Sequence, residues 1–130
     1  MLYLNLAIIQ NAKGSFTLAV KNATRAIVLN VEDKAGAYQS RGKAKRNLKQ
    51  YQEAIDDLKT SISLNPNYAR TYFELGLVYY ETSKDNLAIV NFNNAIKYGG
   101  NETIVTLNQN TIGFTIAISD NGNSLTKASK

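Results

Sequence analysis

The fold is decided by residues 69–100, which read ARTYFELGLVYYETSKDNLAIVNFNNAIKYGG. Over 85–98 the apolar residues recur every three or four positions, a spacing that places them on one face of a helix. Two helices are predicted here, over 69–82 and 85–98, with Asp85 as the N-cap of the second. Gly99-Gly100 is predicted to stop the second helix. The stretch therefore predicts a hairpin of two amphipathic helices.

The same stretch has counterparts earlier in the chain. Three tyrosines are separated by 35 and then 34 residues: Tyr3, Tyr38 and Tyr72. Three alanines follow the same two intervals: Ala19, Ala54 and Ala88. A period of this length is typical of stacked helix pairs, because each pair buries its apolar face only against its neighbours.

These intervals and residues resemble the tetratricopeptide repeat, whose pattern runs W-x2-L-G-x2-Y, then A-x3-F, then P over 34 residues. The third copy matches best, at Tyr72, Leu75, Gly76, Tyr79, Ala88, Phe92 and Ala95. The second copy departs from the pattern at Arg41 and Lys45, which stand where apolar residues are usual. The first departs at Val31, which stands where proline is usual.

The resemblance implies an all-α chain, a right-handed α-α superhelix (solenoid) of three helix-turn-helix repeats, over about 1–33, 34–68 and 69–100. Six helices are predicted, over 2–12, 15–29, 35–48, 51–64, 69–82 and 85–98. In the fourth, Ala54 and Leu58 are predicted to face the core, and Asp56 and Asp57 to face solvent. Gly42 and Gly76 are predicted to lie where the two helices of a repeat approach closely.

The remaining residues are predicted to form a capping segment, 101–119, and a flexible end, 120–130. Ile104, Leu107, Phe114 and Ile118 follow helical spacing, whereas 111–119 alternates strictly, as a strand does. Both interpretations stay open, and the position in the repeat favours the helix. A further hypothesis is that the apolar segment 104–118 covers the groove of the third repeat until a partner displaces it.

The composition excludes several kinds of covalent, metal-binding and catalytic site. The chain has no Cys and no His, which excludes disulfides, Cys/His zinc sites and histidine acid–base catalysis. No catalytic or phosphate-binding motif is recognisable, so we expect no enzyme activity, no cofactor and no metal. The apolar start, residues 1–9, is too short to span a bilayer, so we expect a soluble protein, cytoplasmic rather than secreted.

The net charge of +5 is unevenly distributed. Residues 34–52 contain no acid but six bases: Lys34, Arg41, Lys43, Lys45, Arg46 and Lys49. A local basic helix predicts an acidic partner. The alternatives are a solvated basic face and non-specific nucleic-acid binding, which would weaken steeply with salt.

The resemblance also implies that the first helix of each repeat lines a concave groove that binds a peptide or helix of another protein. The ligand-binding residues that it implies are Gln39, Lys43, Arg46 and Asn47 in the second repeat, and Arg70, Phe73, Leu77, Tyr80 and Glu81 in the third. Leu4 and Ile8 hold such places in the first repeat. Of a two-carboxylate clamp known in some members only Arg70 is present, so that specificity is not carried over.

The sequence therefore predicts a protein-interaction scaffold for an acidic or acidic-apolar segment of a partner. One alternative is a structural segment of a longer solenoid. Another is a self-associating module in which Leu4 and Ile8 pair with a second copy. The large side chains Phe73, Leu77 and Tyr80 are predicted to lie on an open face, unless the chain's own tail covers them.

Overall fold

The computed structural model describes the backbone of residues 1–110 and the side chains of residues 1–100. This part of the chain contains six helices and no strand. The helices are α1 (Leu2–Ala12), α2 (Phe16–Val28), α3 (Lys34–Asn47), α4 (Tyr51–Leu64), α5 (Ala69–Glu81) and α6 (Asp85–Asn110). The predicted all-helical class is confirmed, and the first five helices end within a residue or two of their predicted bounds.

The sixth helix is interrupted close to its predicted end. It continues to Asn110 across a kink at Gly100, whose φ of 62° and ψ of −145° are not helical. Glycine adopts a positive φ without the steric cost that a Cβ brings. The predicted stop at Gly99-Gly100 is therefore confirmed: Gly100 separates two helical segments, and the second, 101–110, is helical, as the repeat position favoured. The strand-like alternation of 111–119 and the end 120–130 lie outside the described residues, as do all side chains of 104–118.

The chain divides into two compact units, Met1–Pro66 and Asn67–Lys130. In the first unit α1 packs against α2, α2 against α3, and α3 against α4, and α1 also contacts α3. In the second unit α5 packs against α6. The two helices of each pair are therefore neighbours in the chain, as a repeat of short helical hairpins requires.

The two helices of each pair are joined by the same backbone turn. Three residues at the repeat interval have positive φ: Gly14 (79°), Lys49 (64°) and Ser83 (60°). In each case the next N–H donates to a carbonyl five residues earlier at 2.8 Å: Ser15 to Gln10, Gln50 to Lys45 and Lys84 to Tyr79. This is the Schellman arrangement that ends many helices. The repeat thus extends to the backbone of its turns, although only the first turn has glycine.

Small residues set the distance between paired helices. A Cβ added at Gly42 of α3 would lie 2.8 Å from Leu58 Cγ of α4. A Cβ added at Gly76 of α5 would lie 2.6 Å from the Phe92 ring of α6. Both separations are shorter than ordinary van der Waals contact, so neither position has room for a side chain. The predicted close approach at Gly42 and Gly76 is confirmed.

Candidate protein-binding surfaces

The side of α3 that faces α4 carries an interior ion-pair network. Arg41 donates from Nε and Nη2 to the two carboxylate oxygens of Asp57, each at 2.8 Å. Lys45 Nζ lies 3.1 Å from Asp57 Oδ2, and the Asp57 side chain is only 7% exposed. Hydrogen bonding to Asp57 raises the pKa of the Arg41 guanidinium, against the opposing effect of burial. The prediction that Asp57 faces solvent is wrong, because this carboxylate balances two cations at core positions.

The opposite side of α3 carries the rest of the predicted binding residues of the second repeat. Because an α-helix turns by about 100° per residue, Lys43 and Arg46 point away from the side that holds Arg41 and Lys45. Lys43, Arg46 and Asn47 are all partly buried. Asn47 Nδ2 donates to the Lys43 carbonyl at 2.9 Å. The basic residues of α3 thus lie on two sides of the helix: Arg41 and Lys45 in the interior network, and Lys43 and Arg46 on the opposite side.

Two of the residues assigned to the groove by sequence lie in the core of the first unit. Leu4 is 2% exposed and shares a buried cluster with Ala26 and Ala37. Gln39 is 4% exposed, and its Nε2 has no hydrogen-bond partner in the part of the chain that the structure describes. The expectation that these two side chains are accessible is wrong, because other residues cover both positions. Ile8, by contrast, is exposed.

The first helix of the third repeat is more enclosed than the sequence predicted. Every residue from Thr71 to Tyr79 is buried. Phe73 and Leu77 are 5% and 6% exposed, so the open face predicted as one of two alternatives for them is wrong, and these two side chains are covered. The Phe73 ring lies 6.0 Å from the ring of Phe92 on α6, centroid to centroid. The exposed residues of α5 are Arg70, Tyr80 and Glu81.

An aromatic stack joins α5 to α6. The rings of Tyr72 and Tyr98 are stacked with centroids 5.4 Å apart. Burial raises the pKa of the Tyr72 hydroxyl, and the neighbouring Tyr98 adds to the shift. Together with the Phe73–Phe92 contact, the stack gives this helix pair an aromatic interior.

The sequence analysis missed a set of accessible apolar residues on α1. Leu2 and Ile9 are 66% and 50% exposed. Their counterparts 35 residues later, Ala37 and Ala44, are fully buried. The signal that the sequence offered was the absence of any charged residue from Leu2–Ala12, on every side of the helix. A solvent-facing helix side without charge is unusual in a soluble protein.

Comparison with known proteins agrees with this architecture. A TPR repeat family model matches residues 42–83. A curated yeast protein, the small glutamine-rich tetratricopeptide repeat-containing protein 2 of Saccharomyces cerevisiae, is 33% identical over 78 residues, which are 60% of this chain and 22% of that protein. The crystal structure of MamA superposes with a TM-score of 0.68 at 28% identity, covering 92% of this chain and 67% of the other.

The fold and the recurring turn define an all-helical protein of repeated helix pairs. The matches make the class specific: the chain carries tetratricopeptide repeats. It spans about a fifth of the length of the yeast relative. Proteins of this family generally mediate protein–protein interaction, and such scaffolds are typically not enzymes. Among the described residues, no helix is both long and apolar enough to cross a membrane.

Proposed function

We propose that the chain is an interaction scaffold that binds an acidic or acidic-apolar segment of a partner protein through α1 and α3. The division of charge on α3 carries this proposal. Arg41 and Lys45 point toward Asp57 inside the helix pair, and Lys43 and Arg46 lie together on the other side of the helix. Two cations on one helix side attract carboxylates and favour a partner segment that carries them.

The neighbouring helix adds an apolar contact to the same surface. Ile8 of α1 holds the register position that Lys43 holds on α3, 35 residues later, and it is 51% exposed. The two helices are in contact, and Asn11 Nδ2 donates across them to the Ser40 carbonyl at 2.9 Å. A segment lying along both helices would meet an apolar side chain on one and cations on the other. This combination supports an acidic-apolar ligand over a purely acidic one.

The second unit supplies its own candidate residues. Arg70, Tyr80 and Glu81 are the exposed residues of α5, and they offer a cation, an aromatic ring and an acid. Gln39, Phe73 and Leu77 are buried and are left out of the proposed surface. We expect Arg70→Glu to weaken binding of an acidic peptide. An unchanged affinity would remove α5 from the proposal and leave the surface on α1 and α3.

The experiment measures binding of short labelled peptides that alternate Asp or Glu with Leu or Ile, by fluorescence anisotropy. The double charge reversal Lys43→Glu/Arg46→Glu should weaken binding at least about tenfold, equivalent to about 1.4 kcal/mol. The matched control, Lys21→Glu/Lys59→Glu, makes the same change in net charge at exposed positions of α2 and α4. The same peptides with Lys in place of each acid should not bind.

Two outcomes would contradict the proposal. Equal losses in the charge reversal and in its control would show that only net charge matters. A failure of any acidic-apolar peptide to bind, together with sequence-independent and strongly salt-dependent binding of a labelled DNA duplex, would favour the nucleic-acid alternative.

A further inference from the structure

The outer side of α2 carries exposed apolar and basic side chains at a regular spacing. Leu18, Val28 and Leu29 are 50%, 75% and 61% exposed. Lys21 and Arg25 are also exposed and lie between them along the helix. The steps from 18 to 21, 25 and 28 are three, four and three residues, which places these side chains on one side of the helix. We call the five residues the α2 outer face.

The corresponding side of α4 is open although another repeat lies before it. The counterparts of the α2 outer face, 35 residues later, are Glu53, Asp56, Thr60, Ser63 and Leu64. All are exposed except Thr60, which is partly buried. The helices α1 and α2 precede α4 and belong to the same compact unit. Stacking of one repeat on the next leaves this side of a second helix accessible, so a repeat in front of α1 would leave the α2 outer face open as well.

The two open sides differ in their chemistry. On α4 four of the five side chains are polar, as expected of a solvated helix side. On α2 three of the five are large and apolar, and the other two are cations. Exposed apolar side chains that lie next to each other mark an interaction site more often than a solvated side. The α2 outer face is thus better suited to a protein contact than to solvent.

A cavity opens within the α2 outer face. Its volume is about 370 Å³, and it is lined by Lys21, Thr24, Arg25, Val28 and Leu29. The Arg25 guanidinium lies over the Tyr3 ring of α1, with Cζ 4.9 Å from the ring centroid. This cation–π contact holds the charge beside the cavity without neutralising it. The cavity therefore combines apolar walls with two cations, and its volume can receive a side chain of another molecule.

The two cations have no acid beside them. Neither Lys21 nor Arg25 forms an ion pair with a residue that the structure describes. Residues 1–31 contain no Asp and no Glu. Because Lys21 and Arg25 are about one helical turn apart, a single carboxylate placed between them can accept hydrogen bonds from both. The charge that complements this face is therefore negative.

We propose that the α2 outer face binds an amphipathic helix of a partner protein. Acidic residues of that helix lie opposite Lys21 and Arg25, and its apolar residues pack against the three apolar side chains of the face. Steps of three and four residues are those at which the side chains of two helices interlock. From Leu18 to Leu29 the face rises about 16 Å, which matches three turns of a partner helix.

The arrangement of the cations favours this partner over an anionic lipid surface. A helix that lies in a lipid surface keeps its cations on a polar side, apart from its apolar side. On α2 the cations lie within the apolar set, between Leu18 and Val28 along the helix. Burial of that set in lipid would take Lys21 and Arg25 out of water without a counter-ion fixed beside them, whereas a facing helix supplies the carboxylates.

The test is binding of a labelled designed peptide to the full 130-residue chain, measured by fluorescence anisotropy. The peptide is an amphipathic helix of about three heptads with Leu at the a and d positions, except for two central Glu. Lys21→Glu/Arg25→Glu should weaken its binding at least about tenfold. Lys34→Glu/Lys59→Glu, which makes the same change in net charge at exposed positions of α3 and α4, is the matched control and should leave it unchanged.

Two further comparisons separate the contact from folding and from charge alone. A peptide with Lys in place of the two central Glu should not bind the wild type but should bind Lys21→Glu/Arg25→Glu, and this recovery shows that the variant is folded. Leu29→Ala should weaken binding of the original peptide at least about threefold. Leu64→Ala, at the equivalent position of α4 and also exposed, should not.

Four results would overturn the proposal. The first is an equal loss of binding in the two charge reversals, and the second is a peptide that fails to bind at its highest soluble concentration. The third is binding of the chain to vesicles of anionic phospholipid that Lys21→Glu/Arg25→Glu abolishes, since it would assign the face to a membrane. The fourth is a dimer that the same variant dissociates, since it would assign the face to a second copy.

The α2 outer face and the surface on α1 and α3 are probed by different peptides. The peptides of the proposed function alternate acidic and apolar residues, so on a helix neither kind keeps to one side. They do not match the α2 outer face, and Lys21 therefore remains a control position for them. The designed helix tests Lys21 and Arg25, and the alternating peptides test Lys43 and Arg46, so either proposal can fail alone.

Discussion

The second and third helix pairs have the same backbone arrangement but differ in the side chains that lie between their two helices. At three positions the α3–α4 pair has a charged residue where the α5–α6 pair, 34 residues later, has an uncharged one. The pairs of residues are Arg41 and Leu75, Lys45 and Tyr79, and Asp57 and Asn91. In the first of these pairs the three side chains form an ion-pair network. In the other, Asn91 Nδ2 donates to the carbonyl of Leu87, one turn earlier in its own helix.

What the two pairs have in common lies at the close contacts and the turns. Gly42 and Gly76 occupy equivalent places, and each leaves room for one large side chain, Leu58 or Phe92. The turn residues Lys49 and Ser83 both have positive φ. The comparison shows that the glycine positions and the turn geometry define the helical hairpin. The side chains between its two helices can form either an ion-pair network or aromatic contacts.

The largest expected effect is the loss of the carboxylate from the charged pair. Asp57→Ala would leave Arg41 without its anion, and Lys45 with only the exposed Glu53 carboxylate 3.9 Å away, at a cost of about 3–5 kcal/mol in the free energy of unfolding. Urea denaturation followed by circular dichroism measures this loss. Asn91→Ala, at the same register position of α6, is the control and should cost about 1 kcal/mol or less. Similar losses at the two positions would mean that the ion-pair network does not stabilise the α3–α4 pair more than a single side-chain hydrogen bond stabilises α6.

A smaller effect is expected from filling the contact in the aromatic pair. Gly76→Leu would force the Phe92 ring to move, because even a Cβ would lie 2.6 Å from it. We expect a loss of about 1–3 kcal/mol, seen as a lower melting temperature. Gly42→Leu should cost a similar amount, because its Cβ would lie 2.8 Å from Cγ of the fully buried Leu58 and 3.3 Å from the Ala54 carbonyl oxygen. A variant at Gly76 that melts like the wild type would contradict the close contact.

The smallest effect concerns pH. The pKa of Tyr72 is raised in the folded protein by burial, so folding favours the protonated hydroxyl. Its contribution to stability is fully present below the unfolded pKa of about 10 and is lost as pH rises through the folded value. Tyr72→Phe should therefore show a shallower fall in stability than the wild type above about pH 10. Chemical denaturation at neutral and alkaline pH measures this, and identical declines would contradict the assignment.

Much of the fold followed from the sequence, because helix period and repeat interval are local properties. The helix bounds and the contacts at Gly42 and Gly76 were predictable on this ground. The binding surface was less predictable from the sequence. The period shows on which side of a helix Gln39 or Phe73 lies, but not whether another element covers that side. For the same reason Asp57, which follows Asp56 on α4, was predicted to face solvent, because the sequence does not show that two cations lie beside it.

The charged network also constrains how this repeat can change over generations. Replacing Arg41, Lys45 or Asp57 alone leaves at least one buried charge with fewer counter-ions, while exchanging all three together removes every charge at once. A single step of about 3–5 kcal/mol takes up much of the roughly 5–15 kcal/mol that keeps a domain folded. The three positions should therefore be inherited as a block. Leu58, by contrast, which packs against Gly42, can be exchanged on its own for another apolar side chain of similar volume.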